Sequence, residues 1–223
     1  MSEEKSVFGY GSLIMPVSTL SRFDSELSEE AEKVMKNSDN RLEELLKFYL
    51  KDKQTEKWEN SSIEFIPAKI HGFKRYYALE REGEGNQLTA VKGDKNEFIN
   101  GVVIFPLDKE QFNDLSDTED FYNKHELNRE DIETYFDLES DLPEKFVLFT
   151  GTDHPQIKMD TDRKRDPNYH RFIEEGAKLI AEQQFSKTEE AERFREKFME
   201  DFREHTYEKH DGDWVKLSEL DEN

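Results

Sequence analysis

The stretch that most narrows what this chain can fold into is Val7-Phe8-Gly9-Tyr10-Gly11-Ser12-Leu13-Ile14. A short apolar run, read as a first strand over residues 7–10, breaks into a Gly-Ser turn directly after Tyr10. Glycine adopts backbone angles that a Cβ disfavours, so Gly11 allows a sharp loop whose amides can face a ligand.

Composition limits what that ligand can be. The chain has 223 residues, enough for one domain with a sizeable core. Its 53 acidic residues against 32 basic ones give a net charge of −21, a field that repels phosphate backbones and argues against nucleic acid as a partner. Cysteine is absent, which excludes disulfides, a thiol nucleophile and Cys-ligated zinc. Met1-Ser2-Glu3-Glu4-Lys5 lacks the basic and apolar regions of a signal peptide, and no apolar run approaches the length of a membrane span. A cytoplasmic protein without a membrane partner is expected.

Periodicity supplies the rest of the plan. Between residues 25 and 52, Leu27, Ala31, Val34, Leu42, Leu45, Leu46, Tyr49 and Leu50 fall mostly on one helical face. Asn37-Ser38-Asp39-Asn40 splits that stretch into two helices, with Asp39 or Asn40 as the second cap. The apolar stripe either packs on the main core or forms a lid or partner-binding hairpin. Strand character returns over 63–79, with a bend at Gly72, and continues over 88–91 and 101–105. Gly83, Gly85 and Asn86 mark a turn. Asp108 with Gln111 opens a short capped helix; strands are expected over 124–127, 132–136 and 146–149. The last third reads as helical: Tyr169, Phe172, Ile173, Gly176, Ala177 and Ile180 share a face, and Ser186-Lys187-Thr188-Glu189 has the pattern of a capping box before Phe194, Phe198 and Phe202. The tail from His210 to Asn223 is charged and expected to be peripheral. Short strands mixed with late helices indicate the α+β class.

Several chemistries are excluded by pattern. Gly11 directly precedes Ser12, so the Gly-x-Ser-x-Gly elbow of a serine hydrolase is not met. Ile14 stands where the third glycine of a dinucleotide fingerprint belongs. The histidines His71, His125, His154, His170, His205 and His210 show no ligand spacing, and the calcium-loop-like run from Asp160 has Arg165 where glycine is required. No metal site is expected. The basic cluster Arg163-Lys164-Arg165 reads as a solvated loop or an internal ion-pair partner, with an anionic substrate tail as its sharper use.

Four blocks recur in the order of a known family. They are Tyr10-Gly11-Ser12-Leu13, then Ala68-Lys69-Ile70-His71-Gly72-Phe73-Lys74-Arg75-Tyr76-Tyr77, then Asn100 to Leu107, then Leu115-Ser116-Asp117-Thr118-Glu119-Asp120-Phe121-Tyr122. Together they resemble the gamma-glutamylcyclotransferase-like family, including its ChaC-type branch. The chain departs from that pattern at Ser116, where Asp is usual, and at Thr118, where ChaC-type members carry Arg. The resemblance implies one α+β domain over residues 1–223, a small mostly antiparallel barrel-like sheet with surrounding helices. A helical insertion would lie at about 21–62 and a helical extension at about 167–206.

The resemblance also implies a reaction. The α-amine of a small gamma-glutamyl substrate attacks its own γ-carbonyl, releasing 5-oxoproline and an amine or amino acid. Attack within one molecule has a large effective-molarity advantage, so neither a protein nucleophile nor a cofactor is needed. Glu119 would be the catalytic acid/base, taking a proton from the ammonium and giving one to the leaving amine. Tyr10, Gly11, Ser12, Leu13 and Tyr122 would bind substrate, the loop amides holding its carboxylate or the developing oxyanion. Tyr10 and Tyr122 also read as half-buried packing residues, and Tyr122 as a residue that orients the Glu. The competing reading is a non-catalytic binding protein on the same fold, with the 21–62 segment as its partner surface.

Overall fold

A computed structural model describes residues 4–38, 40–80, 86–120, 122–136, 142–151 and 165–220. In chain order, strand β1 (Lys5–Gly9) leads into a 3-10 helix (Gly11–Ile14) and α1 (Pro16–Leu20). Helices α2 (Ser25–Lys36), α3 (Arg41–Tyr49) and α4 (Asp52–Glu59) precede strands β2 (Glu64–His71), β3 (Phe73–Glu80), β4 (Asn86–Lys92) and β5 (Phe98–Leu107). Helix α5 (Lys109–Thr118) leads to β6 (Asn123–Asn128), β7 (Ile132–Thr134) and β8 (Lys145–Thr150). Helices α6 (Pro167–Gln184) and α7 (Thr188–Glu204), strands β9 (Thr206–His210) and β10 (Asp213–Lys216), and α8 (Leu217–Leu220) complete the chain.

The fold is α+β, built on a curled six-stranded sheet in the order β6-β8-β1-β5-β2-β7. Only β1 and β8 run parallel; the other pairs are antiparallel. Central β5 (FINGVVIFPL) is buried along nearly all its length, as a strand covered on both faces must be. Strand β1 lies inside this sheet, between β8 and β5, so its C-terminal end delivers the Gly-Ser turn to the middle of the fold. A second sheet, β10-β9-β3-β4, stands beside it.

Local sequence explains most boundaries. Asp108 and Gln111 form the expected capping box at the start of α5. Asp24 caps α2 by accepting from the Leu27 amide at 2.9 Å. Asn40 occupies the cap position of α3 but its side chain makes no capping bond; Asp39 lies outside the described residues, as do Gly83 and Gly85. Two expectations are corrected. The Ser186 capping box does not form: α7 starts one residue later, with Lys187 at the cap position and its Nζ paired to Glu190. The segment after His210 is not peripheral over its described residues 211–220, because β10 pairs with β9 and Leu217 is fully buried; residues 221–223 lie outside the described residues.

The helices between β1 and β2 are docked on the core. Leu27, Ala31, Leu45, Leu46, Phe48, Tyr49 and Trp58 are all buried, so the apolar stripe faces inward and charged residues face out. Tyr49 anchors the group by a hydroxyl contact to Ser21 Oγ (3.0 Å) and an edge-on ring contact with Phe172 of α6. Among the described residues, no helix is long and apolar enough to cross a membrane.

Helix α6 braces the Gly-Ser turn from behind. A Cβ at Gly176 would lie 2.7 Å from the Ile14 carbonyl oxygen and 2.8 Å from Met15 Cα, backbone atoms that yield less readily than a side chain. We therefore expect Gly176→Ala to destabilise the protein by about 1–3 kcal/mol, the usual cost of overpacking. Lys178→Ala on the exposed face should stay within about 0.5 kcal/mol of the parent. Thermal melts of the two variants check this.

Candidate active site

The turn after β1 is made by two residues with opposite tasks. Tyr10 is extended (φ −131°, ψ 167°) and Gly11 takes φ +66°, the left-handed region that favours glycine. The Tyr10 side chain turns inward. Its hydroxyl donates to the Phe149 carbonyl (2.7 Å) on β8 and accepts from the Ala90 amide (3.1 Å) on β4. Burial pushes this phenol well above its ordinary pKa, so it stays neutral and acts as a strut between the two sheets.

Tyr169, on the first turn of α6, closes over the loop. Its hydroxyl oxygen accepts the Ser12 amide at 3.2 Å, and a Cβ on Gly11 would lie 2.5 Å from that oxygen. Behind it, Tyr77 is fully buried, meets the Tyr169 ring edge-on and contacts His170 Nδ1 through its hydroxyl (2.9 Å). The Leu13 carbonyl accepts from Thr19 Oγ1 at 3.0 Å, which ties the turn to α1.

Glu119 sits at the C-cap of α5, its amide bonded to the Ser116 carbonyl and its own carbonyl accepting from Tyr122 N. A carboxylate is unfavourable beside the exposed carbonyls of a helix C-terminus unless a cation offsets it. Arg22 is that cation. Its Nη1 binds the Glu119 carboxylate and Thr118 Oγ1 (2.7 Å), and its Nη2 donates to Ser12 Oγ (3.0 Å). Thr118 in turn donates to the Leu115 carbonyl, which leaves a lone pair facing the guanidinium. Both charged side chains are mostly shielded, Arg22 at 15 % and Glu119 at 12 % exposure.

Residues about a hundred positions apart thus converge, and they are those singled out in the sequence. Ser12 and Glu119 are joined through one guanidinium, with Tyr10, Gly11 and Leu13 in the same turn. Tyr122 adjoins Glu119 through its backbone, while its hydroxyl donates to the Leu88 carbonyl (3.0 Å). Arg22 and Tyr169 went unread as site residues. Tyr169 carried only the signal of a core-facing helical position. Arg22 carried one signal, as the single basic residue between Lys5 and Lys33. Arg165 of the basic cluster pairs with Glu208, while Arg163 and Lys164 lie outside the described residues. Among the described residues, no group of His, Asp or Glu is arranged to hold a metal ion.

No protein-family model matches the chain, and no curated protein matches it. Among solved structures it is similar to a gamma-glutamyl cyclotransferase, at 15% identity over 86% of this chain and 87% of that one, with a TM-score of 0.46. It is also similar to a yeast gamma-glutamyl cyclotransferase specific to glutathione, at 13% identity over 90% and 100% of the two chains, with a TM-score of 0.45. An Arabidopsis thaliana protein is similar at 16% identity over 86% and 93%, with a TM-score of 0.41.

The Tyr169 hydroxyl is the acceptor that holds the Ser12 amide in place. Tyr169→Phe keeps the ring and removes that acceptor, at a cost of about 1 kcal/mol. For a chain of this size that corresponds to a fall in Tm of about 2–4 °C, readable by calorimetry.

Proposed function

We propose that this protein is a cofactor-independent enzyme of the gamma-glutamylcyclotransferase type, with Glu119 as its general acid/base. The observation that carries this reading is the convergence of the Gly-Ser turn and Glu119 on Arg22. A non-catalytic scaffold requires no partly shielded carboxylate facing a tight turn.

The steps need little from the protein. The Glu119 carboxylate takes a proton from the substrate's α-ammonium. The freed nitrogen bonds to the γ-carbonyl carbon and closes a five-membered ring, an attack favoured by proximity within one molecule. The carbonyl oxygen gains negative charge, for which the Ser12 hydroxyl and the turn amides other than that of Ser12, which Tyr169 holds, are the proposed donors. As the oxyanion collapses, the bond to the leaving nitrogen breaks and Glu119 returns its proton there. A second proton passes from the ring nitrogen to the released amine, which departs as an ammonium, so charge is conserved. The products are 5-oxoproline and an amine or amino acid. The substrate supplies the nucleophile, so the reaction calls for no cofactor.

The test is direct detection of 5-oxoproline from gamma-glutamyl amino acids, gamma-glutamyl amines, gamma-glutamylcysteine and glutathione. Glu119→Gln keeps the shape but cannot take the proton, so turnover should fall about 10²–10⁴-fold while the fold persists. Glu110→Gln and Glu126→Gln, on exposed carboxylates, should leave turnover near normal. Near-normal turnover in Glu119→Gln would remove Glu119 from its role. Absence of product from every compound would instead favour a binding protein on this fold.

A further inference from the structure

Arg22 has two kinds of partner. Ser12 Oγ and Thr118 Oγ1 are neutral hydroxyls fixed by the turn and by α5, whereas Glu119 is a charged group that a second carboxylate can displace. As long as the guanidinium holds Glu119, it competes for the oxygen lone pairs that must accept the substrate's proton. The substrate proposed above brings such a competing group. Its α-carboxylate sits on the carbon that bears the α-ammonium, about 2.5 Å from that nitrogen by ordinary bond lengths and angles. A base must come within about 2.6–3.2 Å of the nitrogen whose proton it takes. The α-carboxylate is thereby carried to the immediate surroundings of Glu119, in a protein of net charge −21. Two carboxylates that close repel unless a cation lies between them. Arg22 already adjoins Glu119, and its planar fork suits a carboxylate better than a lysine would.

We propose that Arg22 is the receptor for the substrate α-carboxylate, and that its exchange of Glu119 for that carboxylate frees the base. Ser12 and Thr118 keep the guanidinium in position during the exchange. The assignment rests on the cyclotransferase reading and adds a selection rule to it. An amide with an amine in the right place but no α-carboxylate leaves Glu119 held and is not turned over.

The probes are gamma-glutamyl ethylamide and 4-aminobutyryl ethylamide, which differ only in the α-carboxylate. Their products, 5-oxoproline and 2-pyrrolidinone, are measured separately. Wild-type protein should prefer the first by about 10⁴-fold in kcat/KM, the discrimination reached when a site built to bind a polar group meets an analogue lacking it. In Arg22→Gln the preference should collapse to within about tenfold, and Arg22→Lys should restore part of it. A merely structural arginine would lower both activities and leave their ratio unchanged. Binding gives a readout on the wild-type protein alone: 5-oxoproline should raise its Tm and 2-pyrrolidinone should not. Equal use of the two amides by wild-type protein overturns the assignment, as does an Arg22→Gln variant that keeps the preference. Should gamma-glutamyl ethylamide not be turned over, the same comparison is made with the compound of the panel above that is, against its analogue lacking the α-carboxylate. Wild-type protein that forms 5-oxoproline from none of that panel overturns the cyclotransferase reading, and this assignment with it.

Discussion

A buried hydroxyl joins the two sheets at the point where the candidate site begins. Tyr10 Oη bonds to the Phe149 carbonyl on one sheet and the Ala90 amide on the other. The neighbouring Thr89 hydroxyl, bonded to both the amide and the carbonyl of Gly151, reinforces the seam. A buried donor or acceptor left unpaired costs about 1–3 kcal/mol, so the chain is under pressure to keep Tyr10 where it is. Since Tyr10 points inward, the backbone after it must swing outward. The left-handed Gly11 allows that reversal, and the 3-10 turn presents Ser12 to Arg22. The geometry of the candidate site follows from how the sheets are joined.

Two arginines show how differently this fold uses the same charge. Arg75 is fully buried and meets no solvent; its donors go to Asn100 O and Oδ1, Thr206 Oγ1 and the Phe202 carbonyl, and its Cζ lies 3.8 Å from the centre of the Phe202 ring. Burial pushes its pKa down to about 9. Those bonds lock β3, β5, β9 and the end of α7 together, a structural use of the guanidinium fork. Arg22 keeps some exposure, and its partners include a carboxylate as well as two hydroxyls.

Much of this was legible in the chain because it is encoded locally. The apolar run of β5, the inward stripe of α2 and α3, and the Asp108–Gln111 capping box each depend on neighbouring residues. The features that escaped are set by distant partners. Strand β9 runs parallel to β3 through Arg75 and Tyr76, a pairing across more than a hundred residues that the polar run Tyr207-Glu208-Lys209-His210 does not announce. Tyr169 kept the spacing of a core residue because it is one; its hydroxyl gains a second use only when the turn folds beneath it. Arg22 is nine residues past the end of the Tyr10–Leu13 block, and only tertiary packing brings it to Thr118 and Glu119.

The central claim is that the Gly-Ser turn and the end of α5 form one ligand site. Titration of the uniformly ¹⁵N-labelled full chain with 5-oxoproline tests it most directly, by NMR. The account predicts saturable shifts with one common dissociation constant at the amides of Gly11, Ser12 and Leu13, at Arg22 Nε, and at the amides of Thr118 and Glu119. Saturable shifts confined to one of the two segments, or elsewhere on the surface, would contradict it.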